Sequence, residues 1–156
     1  MKITLLRNGE ELVVTLRGDI NESAEDDFRD LLAKIEVPKI VFETERVELV
    51  NSLGARYWID LVQSLAKRSI KMTFRKCSPA FVESCNMYPK FVPKNSIESL
   101  FVVAECSKCR CEESSLLTLT KCMAEDPLSG VNCSKCGSAL VSTVDFVEYL
   151  QAVRET

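Results

Sequence analysis

Eight cysteines and no histidine decide what chemistry this chain can do. None of the cysteines precedes Cys77, and six fall between Cys106 and Cys136. Cys106-Ser107-Lys108-Cys109 and Cys133-Ser134-Lys135-Cys136-Gly137 are two C-x-x-C knuckles, 23 residues apart. A two-residue spacer lets both sulfurs of a knuckle face one ion while backbone amides donate to them. Gly137 permits the tight turn that follows. Two such knuckles complete a closed tetrahedral set of four thiolates, so we expect one structural Zn2+ on Cys106, Cys109, Cys133 and Cys136. A closed set leaves no position for activating water, so the ion holds structure and does no chemistry. A thioredoxin-like redox pair is the competing reading, but such motifs are usually single and open a helix. Cys111 is either a stand-in for Cys109 or, like Cys122, a packed thiol. Cys77 and Cys85 flank an apolar helix and read as small buried hydrophobes.

Composition narrows the classes further. The chain has 156 residues, 46% hydrophobic and 28% charged, with a net charge of −3. That is a globular composition, large enough for one domain plus a small module. Without histidine, Ser-His-Asp and Cys-His catalysis are excluded and the usual neutral-pH base is missing. Residues 104–140 hold four basic and five acidic side chains. Four thiolates on Zn2+ add about −2 more, so a phosphate-tracking nucleic-acid surface is disfavoured. The longest uncharged run, Cys136 to Val144, is nine residues, far short of a membrane span. The start, Met1 to Arg7, has no signal-like apolar run. The expectation is a cytoplasmic protein that binds neither nucleic acid nor membrane.

The elements that must position these residues read as an α/β pattern up to residue 103. Lys2 to Arg7 and Glu11 to Arg17 are strands joined by an Asn8-Gly9 turn. Ser23 is placed to cap a helix in which Ala24, Phe28, Leu31, Leu32 and Ile35 form one face. Pro38 opens a strand from Lys39 to Glu43. Ser52 to Arg68 is the longest helical pattern, with Leu53, Tyr57, Leu61, Val62 and Leu65 as its buried stripe. Asn51 or Ser52 caps it. A strand from Ile70 to Lys76, a helix from Pro79 to Met87 and a strand from Ile97 to Ala104 follow. Beyond Glu105 the segments are short and polar, with a strand around Leu116 to Thr120 and a closing helix from Val144 to Val153. That stretch is too small for a core of its own, and a metal is the natural staple. The expected division is 1–103 and 104–156.

The element order, the loop Gly18-Asp19-Ile20-Asn21 and the turn Asn51-Ser52-Leu53-Gly54 resemble the STAS domain. The tail, with its two knuckles before Asp145 to Leu150, resembles a group of small bacterial STAS-like proteins with a C-terminal zinc ribbon. The resemblance implies a mixed β-sheet with helices, followed by a small zinc-ribbon module and a C-terminal helix. It implies a non-catalytic docking module whose partner is a protein, of a kinase-like or signalling kind. The docking residues would be Asp19, Asn21, Asn51, Ser52, Leu53, Gly54 and Arg56, with Trp58 either an anchor or a core residue. Phospho-switching members carry an Asp-Ser-Ser-Gly-like turn. Aligned on Gly54, the acceptor position here is Leu53, the adjoining acid is Asn51 and the loop acid is Asn21. The resemblance therefore implies a member without classical serine phosphoregulation, with Ser52 the modifiable residue if the register shifts by one. The alternatives are a cysteine-based redox sensor or thiol enzyme, and a nucleic-acid-binding zinc ribbon.

Overall fold

The structure is a computed structural model that describes residues 1–151. β1 (Lys2–Asn8) and β2 (Glu11–Arg17) form an antiparallel hairpin, turned at Gly9 with φ +62°. From there the next two strands are each reached through a helix, so their pairing becomes parallel. α1 (Ala24–Lys34) leads to β3 (Lys39–Arg46), and α2 (Ser52–Lys67) leads to β4 (Lys71–Arg75). The strand order is β1-β2-β3-β4. α3 (Pro79–Met87), capped by Ser78 and begun by Pro79, precedes β5 (Ser99–Cys106).

Alternation along β2 buries Leu12, Val14 and Leu16 and leaves Val13 and Thr15 half-buried. The buried face meets rings from all three long helices. Trp58 of α2, fully buried, lies among Phe28 of α1, Phe42 and Phe74 of the sheet, Phe81 of α3 and Phe91. Its Nε1–H donates to the Phe91 carbonyl at 2.9 Å, so the one polar atom of the indole is satisfied.

β5 ties the tail to this sheet. Its start and the residues leading into it run parallel to the end of β4 and the residues after it, through isolated bridges Phe74–Ile97 and Cys77–Leu100, with Glu98 N–H donating to Phe74 O at 2.8 Å and Phe101 N–H to Cys77 O at 2.8 Å. Its far edge pairs along its length with β6 (Glu112–Thr118), and its C-terminal end pairs with β7 (Leu140–Ser142). α4 (Leu119–Cys122) and α5 (Phe146–Tyr149) complete the elements. Cys106, Leu128, Cys133, Leu140 and Leu150 belong to the same buried cluster as the rings. α5 is held against α3 and β5: Asn86 Nδ2 donates to Tyr149 O at 2.9 Å, and Tyr149 Oη donates to Phe101 O at 3.0 Å.

Several expectations need correction. Ser23 is already in the helical region and its side chain caps nothing in α1. Its hydroxyl donates instead to Asn21 Oδ1 at 2.7 Å. β3 runs to Arg46 rather than Glu43. Leu53 is 47% exposed: the stripe of α2 runs through Gly54, Ala55, Trp58, Leu61, Val62 and Leu65, because the helix start rests on Ile20 and needs its smallest residue inward. β6 begins at Glu112, earlier than expected, since it continues the hairpin from β5. α5 covers only Phe146–Tyr149 of the helix expected over Val144 to Val153; the last part of that span, with Val153, lies outside the described residues.

Candidate metal centre and docking face

The two knuckles are built to one plan. In the first, Cys106 N–H donates to Cys111 O at 2.9 Å and Arg110 N–H to Cys106 O at 3.1 Å. In the second, Cys133 N–H donates to Ser138 O at 2.8 Å and Gly137 N–H to Cys133 O at 2.9 Å. Arg110 (φ +60°) and Gly137 (φ +73°) both take the left-handed conformation that closes the turn. Sequence reasoning found the glycine and missed the arginine, because an arginine carries no signal for positive φ. The amides of Lys108 and Cys109 point at Cys106 Sγ, each at 3.4 Å. Those of Cys136 and Lys135 point at Cys133. Ser107 bonds to Ala139 O through both its amide (3.2 Å) and its hydroxyl (3.0 Å), so each turn steadies the other.

This duplication brings the sulfurs together. Cys106 Sγ is 3.4 Å from Cys136 Sγ, and Cys109 Sγ is 3.6 Å from Cys133 Sγ. All four lie within 4.8 Å of one another. A tetrahedron with metal–sulfur bonds of about 2.3 Å has sulfur–sulfur edges of about 3.8 Å, so the donor set fits a single thiophilic ion. Cys106 and Cys133 are buried, while Cys109 and Cys136 face solvent. The amides of Cys109 and Lys108 pull the Cys106 thiol down to about 6. Cys136 is lowered by the Ser138 hydroxyl and amide, whereas burial pushes Cys133 up to about 11. Backbone dipoles thus stabilise part of the negative charge, and a cation is what allows all four thiolates at once.

Two further side chains stand beside the four: Glu113, which nothing in the sequence singles out, and Cys111, read there as a stand-in for Cys109 or a packed thiol. Glu113 Oε1 accepts from Ser134 N–H at 3.0 Å and Ser134 Oγ at 2.9 Å, and from Cys133 Sγ at 3.2 Å. These bonds hold its carboxyl below its ordinary range, the Cys133 contact foremost. Only the β5–β6 register places Glu113 there. Cys111 Sγ stands 3.2 Å from Cys109 Sγ and 3.5 Å from Cys133 Sγ. Cys77, Cys85 and Cys122 are buried away from this cluster. Burial drives the Cys77 thiol up to about 12 and Cys122 to about 11, which leaves them inert at neutral pH.

The second region lies where the loop after β2 meets the start of α2. Asn51 joins them. Its Oδ1 accepts from Gly54 N–H at 2.9 Å, its Nδ2 donates to Glu22 Oε2 at 2.8 Å, and its own N–H donates to Ile20 O at 3.1 Å. Glu22's own amide and the Asn51 amide hold the Glu22 carboxyl below its ordinary value. Gly54 is buried directly against the loop, and a Cβ there would collide with the Ile20 carbonyl. Asp19, Glu22, Ser52, Leu53 and Arg56 are exposed around this joint. Asn21 is half-buried, its side chain engaged by Ser23. Trp58 is not on this face: it is a core residue, and its expected role as a docking anchor is corrected.

Comparison with known proteins agrees with this architecture. The model of the STAS domain matches residues 2–92, more than half of the chain. No curated protein matches it. Among solved structures, one described as "Crystal Structure Analysis of Mglu" aligns at 19% identity and a TM-score of 0.43, covering 46% of this chain and 18% of that one. The chain therefore spans about a fifth of that protein's length. The unphosphorylated anti-sigma factor antagonist SpoIIAA aligns at 18% identity and a TM-score of 0.46, covering 55% of this chain and 79% of that one. No helix among the described residues is long and apolar enough to cross a membrane.

Proposed function

Because the chain belongs to the STAS domain family, we propose that it is a non-catalytic regulatory protein that docks a protein partner and carries a zinc-stapled module. Residues 1–103 would form the docking domain and residues 104–156 the ribbon with its C-terminal helix, as in a small bacterial subgroup working in the cytoplasm. The observation that carries the docking role is the joint at Asn51 and Gly54. It fixes a loop and a helix start into one rigid surface while Asp19, Glu22, Leu53 and Arg56 stay exposed on it. A half-exposed leucine beside an arginine and carboxylates is an apolar contact with a charged rim, the composition that protein interfaces use. Leu53 has no hydroxyl, so this surface works without phosphate at that position; Ser52 is the adjoining residue that a kinase could reach.

Zn2+ fits Cys106, Cys109, Cys133 and Cys136 and would supply folding energy to a segment too small to hold itself. The residues' part is to present four sulfurs and, through the paired turns, to fix the β5–β6 and β5–β7 edges. The docking reading is tested by purifying partners with the wild type and with Leu53→Asp and Arg56→Glu. Both variants should keep the melting temperature and lose the partner. Retention of every co-purifying protein by both variants would refute this face.

A further inference from the structure

The duplication of the knuckles singles out one residue. Superposing their hydrogen-bond patterns puts Cys106 on Cys133, Cys109 on Cys136, and Cys111 on Ser138. At the Ser138 position both the amide and the hydroxyl serve Cys136. At the Cys111 position the amide and the thiol meet Cys109. A hydroxyl therefore suffices for the structural task. A thiol in its place adds a second capability, because it sits 3.2 Å from a ligand sulfur that faces solvent.

We propose that Cys111 is a resolving thiol for Cys109, through which a hydroperoxide forms a Cys109–Cys111 disulfide and removes Cys109 from the metal donor set. This rests on the four-cysteine metal reading above. In the first step the Cys109 thiolate attacks the peroxide: an S–O bond forms, the O–O bond breaks, and an alkoxide or hydroxide leaves. In the second, Cys111 sulfur attacks Cys109 sulfur: the S–S bond forms, the S–O bond breaks, and the oxygen departs as water with the Cys111 proton. Two sulfurs are oxidised by one electron each, and one peroxide is reduced by two. The sulfurs need to approach by only about 1 Å to reach a bonding distance of about 2.05 Å. Cys133, 3.5 Å from Cys111, is buried and less open to the oxidant. Three sulfurs remain for the ion, two of them buried, so the ion loses one of its four thiolates and the closed set opens to water and competing ligands. A resolving thiol also keeps the sulfenic acid from proceeding to irreversible sulfinic acid.

The sequence supplies a direct readout. Trypsin cuts after Lys108, Arg110 and Lys121, so a Cys109–Cys111 disulfide joins the dipeptide 109–110 to the peptide 111–121. Full-length wild type and Cys111→Ser are assayed for metal content, treated with hydrogen peroxide, alkylated and digested. Parallel samples are then reduced with a phosphine and offered Zn2+. Both proteins should begin with equal metal content, since serine already does this task in the sister knuckle. The wild type should release its ion, yield the joined peptides, and regain full metal after reduction. Cys111→Ser should yield no such pair and should lose most of its metal-binding capacity for good. Equal recovery by the variant, or a wild-type disulfide between other cysteines, overturns the proposal. Metal-free starting protein is instead the failure of the four-cysteine reading; the joined peptides are still scored there, and their absence overturns the proposal on its own.

Discussion

Replacing Trp58 by alanine is the sharpest perturbation of the docking domain. The indole is fully buried and has five phenylalanine rings around it at centroid distances from 5.1 to 6.1 Å. Truncating a buried aromatic residue to alanine costs about 3–5 kcal/mol, the spread reflecting how far the site collapses. The structure argues against collapse, because the surrounding rings come from α1, α3, two strands and the segment after α3, which would have to move together. The Phe91 carbonyl also loses its 2.9 Å donor, worth about 1–3 kcal/mol when the orphaned group stays buried. A total of about 6 kcal/mol, at about 2–4 °C per kcal/mol for a chain of this size, corresponds to a fall of about 12–24 °C in melting temperature. Trp58→Phe keeps one buried ring and loses the hydrogen bond and part of the buried surface, so at least about 1–3 kcal/mol is expected. Urea denaturation and differential scanning calorimetry measure both. A fall under about 3 °C for Trp58→Ala, or loss of partner binding at an unchanged melting temperature, would refute the placement of Trp58 in the core.

Gly54→Ala forces the α2 start away from the Ile20 carbonyl, with about 1–3 kcal/mol of destabilisation despite alanine's better helix propensity; urea titration checks it, with Ala66→Gly at an exposed position of the same helix setting the scale of propensity alone. The Glu22 carboxyl is lowered by its own amide and by Asn51. Its contribution is therefore present above its unfolded value near 4.5 and is lost as pH falls through the folded one. Glu22→Gln should then flatten the loss of stability below about pH 4.5, read by denaturation at stepped pH. Cys133→Ser removes a buried ligand at the meeting point of both turns. It should abolish metal binding and raise amide exchange in β7 and α5 while leaving the β2–β3 pairing protected, which hydrogen exchange reads residue by residue.

What could be read from the sequence follows what is locally encoded. β1, β2 and α3 lie close to where alternation, Asn8-Gly9 and Pro79 put them, because each signal sits within the element it defines. The pairing of the two knuckles was legible for the same reason: spacing within a knuckle is local chemistry. Contacts set by register were not. Glu113 reaches Ser134 only because β6 pairs with β5 in one alignment, and nothing near Glu113 announces it. Ser23 carried a correct capping pattern, yet Asn21 two residues earlier engaged its hydroxyl first. Leu53 belonged to an apolar period, but Gly54 had to face inward against Ile20, so the first turns bury Gly54, Ala55 and Trp58, while Leu61, Val62 and Leu65 are buried as expected. Arg110 shows the converse limit: the turn closes at positive φ because the paired knuckle requires it, whatever residue is present.

Native mass spectrometry of the full chain, compared with its denatured mass, tests the central claim most directly. One ion per chain, bound by four thiols that resist alkylation until a chelator is added and that have given up their protons, is the expected result. A metal-free native mass with Cys106, Cys109, Cys133 and Cys136 freely alkylated, or joined in disulfides in the freshly purified protein, would contradict it.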